Sequence, residues 1–252
     1  MRIKRKPLKP AKGSRPAFIV GWSFSLPTLT DLKFWFDLEY GGPLRIVPES
    51  GTSPSSARMT LAHAEWSTSL ICPLPEDESQ LWREQLQWSH AQAAAVLHRH
   101  VPPAQTRDMQ LFLSRLARGL TLLSEGTSYD LQTGAYWNPS DWKDHPLTSF
   151  WLEDHVRVTQ RDTEDPTSDW FQTSGLAKFG LDELETARPR GLSSHPTTEI
   201  LLHLATALME SGQNPKVGSA LTSPLVEGPV TVTSHRTVPH VTGPMAVRQV
   251  RW

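Results

Sequence analysis

The stretch "TRDMQLFLSRLARGLTLLSEGTSYDLQTGAYW" (residues 106–137) decides the fold class. Its first part carries Met109, Phe112, Leu113, Leu116, Leu120 and Leu123 at three- and four-residue steps. That spacing predicts an amphipathic helix over 106–124. Thr106 can cap its start, and Gly126 can follow its end. The second part, from Thr127, places a Gln-Thr-Gly turn between two short runs. This predicts a hairpin, with Gly134 free to take a positive φ. In a regular strand Tyr129 and Leu131 face one way and Asp130 the other. Beyond the turn, Tyr136 and Trp137 face opposite sides, so one enters the core and one stays outside. "NPSDW" (138–142) then leaves the sheet, with Asn138–Pro139 starting a turn and Ser140 or Asp141 able to cap it. A long helix followed by a hairpin points to an α+β fold.

The flanks extend this pattern. Residues 17–24 read as a buried strand, and 28–42 as a short helix capped by Thr28 or Thr30 and stopped by Gly41–Gly42. A strand is expected at 43–49 and a loop at 50–56, with one long strand or two consecutive ones at 57–75. Residues 79–100 repeat Trp82, Leu86, Ser89, Ala93, Val96 and Leu97 at helical steps. They predict a helix ended by Pro102–Pro103. A strand is expected at 150–162, a turn at 163–169 and a returning strand at 170–175. A helix follows at about 197–211, with late strands at 229–235 and 246–252. The expected architecture is an antiparallel sheet with helices on one face. Its first part is a ferredoxin-like split βαβ, and a β-meander and a further helix follow. The expected organisation is a basic disordered leader (1–16), a single domain (17–211) and a Pro/Thr/Val-rich extension (212–252).

The chain has 252 residues, 38% apolar and 20% charged, enough to build a core. No apolar run approaches the roughly 18 residues of a membrane-spanning helix. No small-residue cleavage site follows "AFIVGW", so a signal peptide is not expected. The single cysteine, Cys72, sits in an apolar setting and reads as a buried structural thiol. It fits a reducing compartment, and a cytoplasmic location is expected. The leader carries seven of the 25 basic residues and no acid, so the remainder holds 18 basic against 26 acidic, near −8. A leader of this kind either solubilises the chain or associates with nucleic acid. The acidic body argues against a dedicated nucleic-acid domain.

Catalytic and cofactor motifs are missing from the sequence. There is no phosphate loop, no dinucleotide fingerprint, no nucleophile elbow and no C-x-x-C. No cofactor and no metal are expected. His98 and His100 lie two apart, which on a helix separates them. Near "WLEDHVRV" (151–158), a strand would put Glu153, His155 and Arg157 on one face and Asp154 opposite. A carboxylate beside His155 would make an acid/base pair. The plainer reading is a charged, solvent-facing strand side. Of the ten tryptophans, Trp35 and Trp82 fall on apolar helix faces, whereas Trp137, Trp142, Trp151 and Trp170 cluster around the meander.

Two segments carry a resemblance. Asp130, Thr133, Gly134, Tyr136, Pro139 and Trp142 form the first, in "GTSYDLQTGAYWNPSDW". Thr173, Gly175, Leu176, Phe179, Gly180, Glu183, Leu184 and Glu185 form the second, in "WFQTSGLAKFGLDELE" (170–185). Over roughly 60–210 the chain resembles bacterial α+β families described as domains of unknown function. The resemblance implies a small cytoplasmic bacterial protein, and it carries over no catalytic residue.

Three functional readings follow. The first is a non-enzymatic binding protein of the inhibitor or immunity type, held by an unidentified protein partner, with Tyr136, Trp137 and Trp142 as binding residues. The second is an enzyme that uses Asp130, Asp154 and His155 in a pocket roofed by Trp137 and Trp142. The third is nucleic-acid association through the leader. No membrane role is expected.

Overall fold

The computed structural model describes residues 15–24, 28–49, 57–99, 101–162 and 165–252. The expected leader (but for its last two residues) and the loop at 50–56 lie outside them. The chain divides into two compact units, Met1–Phe150 and Trp151–Trp252. Both mix helices with mostly antiparallel sheet, as the α+β reading requires.

The first unit runs β1 (Pro16–Trp22), α1 (Leu29–Tyr40), β2 (Arg45–Pro48), β3 (Arg58–His63), β4 (Trp66–Ile71) and α2 (Glu76–Leu86). It continues with β5 (Gln92–Leu97), α3 (Thr106–Ser124), β6 (Thr127–Asp130), β7 (Ala135–Trp137) and α4 (Pro139–Asp144). Its seven strands lie in the order β2-β3-β4-β5-β1-β6-β7. Both neighbours of β1 run antiparallel to it, and no pair in this sheet is parallel. The ferredoxin-like arrangement places parallel strands side by side, so this strand order departs from that expectation.

Local chemistry explains the elements. Thr28 and Asp31 form a reciprocal capping box at the start of α1: the Asp31 amide donates to Thr28 Oγ1, and the Thr28 amide donates to Asp31 Oδ2. The 57–75 region folds as two strands because Ala64 turns the chain at φ 51°. Phe18, Val20, Leu61, Leu70, Val96, Phe36, Phe112 and Leu116 fill the core under α1 and α3. Cys72 joins that core, and burial pushes its thiol up to about 12.

The predicted helix at 79–100 is half helix and half strand. α2 stops at Leu86, where Gln87 takes a left-handed turn at φ 55°. The following residues become β5, a central strand. Ala94 and Val96 face the core under α1 and α3, while Ala93, Ala95 and Leu97 face Trp82 and Leu86 of α2. A strand covered on both faces loses its period-two signature. Three alanines then read as helix. Helices therefore cover both faces of this sheet rather than one.

The second unit contains β8 (Arg157–Asp162), β9 (Ser168–Ser174), β10 (Glu183–Pro189), α5 (Ser194–Ser211), β11 (Ala220–Leu221), β12 (Val230–Val238) and β13 (Met245–Arg251). The order is β11-β12-β13-β10-β9-β8. Only the β10–β13 pair is parallel. α5 packs Ile200, Leu201, Leu204 and Leu208 on Phe171, Leu184, Val232 and Val250. The segment 212–252 is thus part of a sheet, and the boundary falls after Phe150 instead of after 211. The expected strand at 150–162 starts late: Leu152–Asp154 form a 3-10 turn, and pairing begins at Arg157.

Candidate functional site

Asp130 builds the β6–β7 turn. Its Oδ1 accepts from the amides of Gln132 at 3.0 Å and Thr133 at 3.3 Å, while its carbonyl accepts from Gly134 at 2.9 Å. Gly134 has φ 70° there. The carboxylate is buried and shapes a turn.

Ser128 stands opposite Trp137, and Tyr129 opposite Tyr136. The two faces of this hairpin have different fates. Trp137 is 5% exposed and Trp142 is 1% exposed. Their rings stack at 4.6 Å and 17°, and Trp142 Nε1 donates to Ser128 Oγ at 2.8 Å. Asn138 caps α4 by accepting from the amides of Ser140 and Asp141, a role expected of Ser140 or Asp141. Both indoles are therefore a plug inside the first unit.

Tyr136 is the outward aromatic, 46% exposed on an edge strand. Its hydroxyl donates to the Leu86 carbonyl at 3.1 Å. Its ring meets Tyr129 at 4.8 Å and Trp88 at 6.1 Å. Trp88 meets His90 at 5.2 Å, edge to face. Trp88 and His90 lie over Gly21, where a Cβ would come within 2.7 Å of both rings. His90 Nδ1 is 3.3 Å from Ser23 Oγ. Burial lowers the His90 pKa and raises those of Tyr129 and Tyr136. Near neutral pH the pad is uncharged: a neutral imidazole and two protonated phenols. Exposed acids Glu76, Asp77, Glu78 and Glu84 line the neighbouring α2. The sequence pattern hides Trp88 and His90 as pad residues because "QWSH" falls inside the expected helix. The break at Gln87 carries no strong turn signal.

In the second unit Asp154 and His155 do not lie on a strand. His155 is 0% exposed, and its carbonyl accepts from buried Lys178 Nζ at 3.0 Å. Burial, with the Lys178 charge, holds its pKa well below the ordinary 6.5. Asp130 belongs to the first unit, and Asp154 and His155 to the second. The Thr173–Glu185 motif is also structural. Glu183 is fully buried and accepts from Thr173 Oγ1 at 2.8 Å, the Gly175 amide at 2.9 Å and the Ala177 amide at 3.1 Å. Burial raises its pKa, and these bonds oppose the rise. Gly175 and Gly180 take φ 121° and 74° on either side of the 3-10 turn Leu176–Phe179. Glu185 takes a two-pronged bond from Arg236, at 2.8 and 2.6 Å, and one from Trp170 Nε1 at 3.2 Å. Among the described residues no cluster of histidine, cysteine and carboxylates has metal-binding geometry. No helix of the described residues is long and apolar enough to cross a membrane.

The buried imidazole gives a pH prediction. The unfolded chain protonates His155 near 6.5, and the folded chain protonates it lower. Between those values the unfolded state binds more protons, so stability falls as pH drops below 6.5. Glu183 works the other way, because its folded pKa is raised and acidification favours it. Thermal melts at pH 7.5 and 5.5 should differ by several degrees, since each tenfold change in proton affinity between folded and unfolded chain is worth roughly 1.4 kcal/mol. His155→Gln should remove most of the histidine share. An unchanged pH difference in that variant would discard the assignment.

No family model, no curated protein and no solved structure matches the chain.

Proposed function

We propose that the chain is a non-enzymatic binding protein that holds a protein partner on the Tyr136–Trp88–His90–Tyr129 pad of its first unit. The observation that carries this is the state of Tyr136. Its ring is open to solvent, yet tethered by its hydroxyl and wedged against two other rings. A ring fixed before contact loses little entropy on binding, which is the character of an interface anchor. The four exposed acids of α2 suit a partner with a basic face, as an inhibitor or immunity protein would meet. The burial of Trp137, Trp142, Asp130 and His155 leaves the enzymatic reading without an accessible set of groups.

The test is affinity capture from a lysate of the source organism with wild type, Tyr136→Phe and Tyr136→Ala. Wild type should recover a stoichiometric protein. Tyr136→Ala should weaken that complex by roughly 2 kcal/mol, about thirtyfold in Kd. Its own stability should change by about 1 kcal/mol at most, because the ring is half in solvent. Tyr136→Phe, which keeps the ring and frees it, should fall between. Equal recovery by wild type and Tyr136→Ala, or none by wild type, overturns the proposal.

A further inference from the structure

We infer that the Tyr136 pad is a docking site for the chain's own basic leader, with residues 4–12 seated on it until a partner displaces them. This rests on the reading of the pad as a binding surface. The leader reads "KRKPLKPAK" over these positions. A polyproline II chain repeats every three residues. At that period Pro7 and Pro10 share one edge, and Lys6, Lys9 and Lys12 share a second. A proline edge of this kind docks on aromatic rings that are open and already fixed in place. The Tyr136 ring is open to solvent, tethered through its hydroxyl and braced by Tyr129 and Trp88.

The leader is long enough to arrive there. β1 starts at Pro16, and the Leu131 amide donates to the Ala17 carbonyl at 3.1 Å, so the leader joins the sheet beside the β6–β7 turn. Tyr136 stands opposite Tyr129, and Tyr129 opposite Ile19. Tyr136 is therefore three residues along β1 and two strands across from Pro16, about 14 Å away. Pro10 precedes Pro16 by six residues, which span about 19 Å as polyproline II. Charge favours the same occupant. Residues 4–12 hold five cations and no acid. α2, whose Leu86 carbonyl holds the Tyr136 hydroxyl, carries four acids and one base. This attraction comes from the summed charge of α2, so it needs no carboxylate to leave its present partner. A tether this short keeps the leader at a roughly millimolar effective concentration, enough to fill a weak site.

The test uses the full chain, its Pro7→Ala/Pro10→Ala variant and a synthetic peptide of residues 3–14. The peptide should bind the double variant, and added salt should weaken that binding. Wild type should bind it about tenfold more weakly, because the tethered leader competes. Within the double variant, Tyr136→Phe should keep the peptide and Tyr136→Ala should lose it. Equal affinity for wild type and double variant, no binding to the double variant, or binding that ignores Tyr136→Ala overturns the inference. So does self-association of wild type that the double variant lacks, which would make the occupant the leader of a second copy. Lysate capture separates this inference from the reading beneath it. The double variant should hold the captured partner about tenfold more tightly than wild type. A partner held equally by both removes the leader and keeps the pad's partner. Peptide binding with no captured partner does the reverse.

Discussion

Gly126→Ala should cost the first unit about 3 kcal/mol or more, a fall in Tm of about 6 °C or more. The cause is steric rather than conformational. A Cβ on Gly126 would stand 2.1 Å from the Gly21 carbonyl oxygen, and 2.8 Å from Ser124 Oγ. The first of these is backbone, in the central strand β1, and it has little room to give. Gly126 sits where α3 ends and β6 begins to pair with β1, with Gly21 opposite Thr127. Relief of the clash would push β6 away from β1 and pull the helix end off the sheet. Gly212→Ala is the control. Gly212 has φ 64° but open space around it, so alanine there meets only the left-handed penalty of about 1–2 kcal/mol. Chemical denaturation of both variants reads the difference. Equal losses would show that backbone conformation, and not the approach of Gly21, decides the cost.

Glu183→Ala should cost the second unit about 2–4 kcal/mol, because it removes the acceptor of three donors at once, although the Thr173 hydroxyl keeps the Leu184 carbonyl at 3.4 Å. These are the Thr173 hydroxyl and the Gly175 and Ala177 amides. Glu183→Gln keeps one acceptor oxygen and should lose less, about 1–3 kcal/mol. Denaturant midpoints give the two energies, and faster exchange at the Gly175 and Ala177 amides locates the damage. A loss under about 1 kcal/mol for Glu183→Ala would mean that the turn holds itself without the carboxylate.

The Tyr136/Trp137 alternation and the α5 stripe separate core from solvent, and the sequence carries the imprint. α3 is buried on nearly all sides, and it is legible because its apolar residues keep a helical spacing among polar ones such as Gln110, Ser114 and Arg118. β5 is buried on both faces, so its residues Ala93–Leu97 hold no such contrast. The second boundary is hidden for another reason. Glu183 pairs with Val247, and contacts of that sequence separation leave no local trace. Of the candidate site, the choice between Tyr136 and Trp137 is readable as an alternative. What resolves it is the stacking of Trp137 on Trp142. Trp88 and His90 join the pad through the return of the chain after α2. Asp130, Glu183 and Glu185 draw notice as polar residues in a motif. Their work is to satisfy backbone and side-chain donors in turns and between strands, which a sequence does not distinguish from chemistry.

β13 lies between β12 and β10, and it joins them through one antiparallel and one parallel seam. Closing the parallel seam means folding back everything from α5 to β12 first, an entropy debt that short-range hairpins never incur. The first unit closes a longer loop in an antiparallel sense, when Phe18 of β1 pairs with Asp130 of β6. Each unit therefore completes its sheet only when a strand late in its sequence arrives, β6 beside β1 in the first and β13 beside β10 in the second.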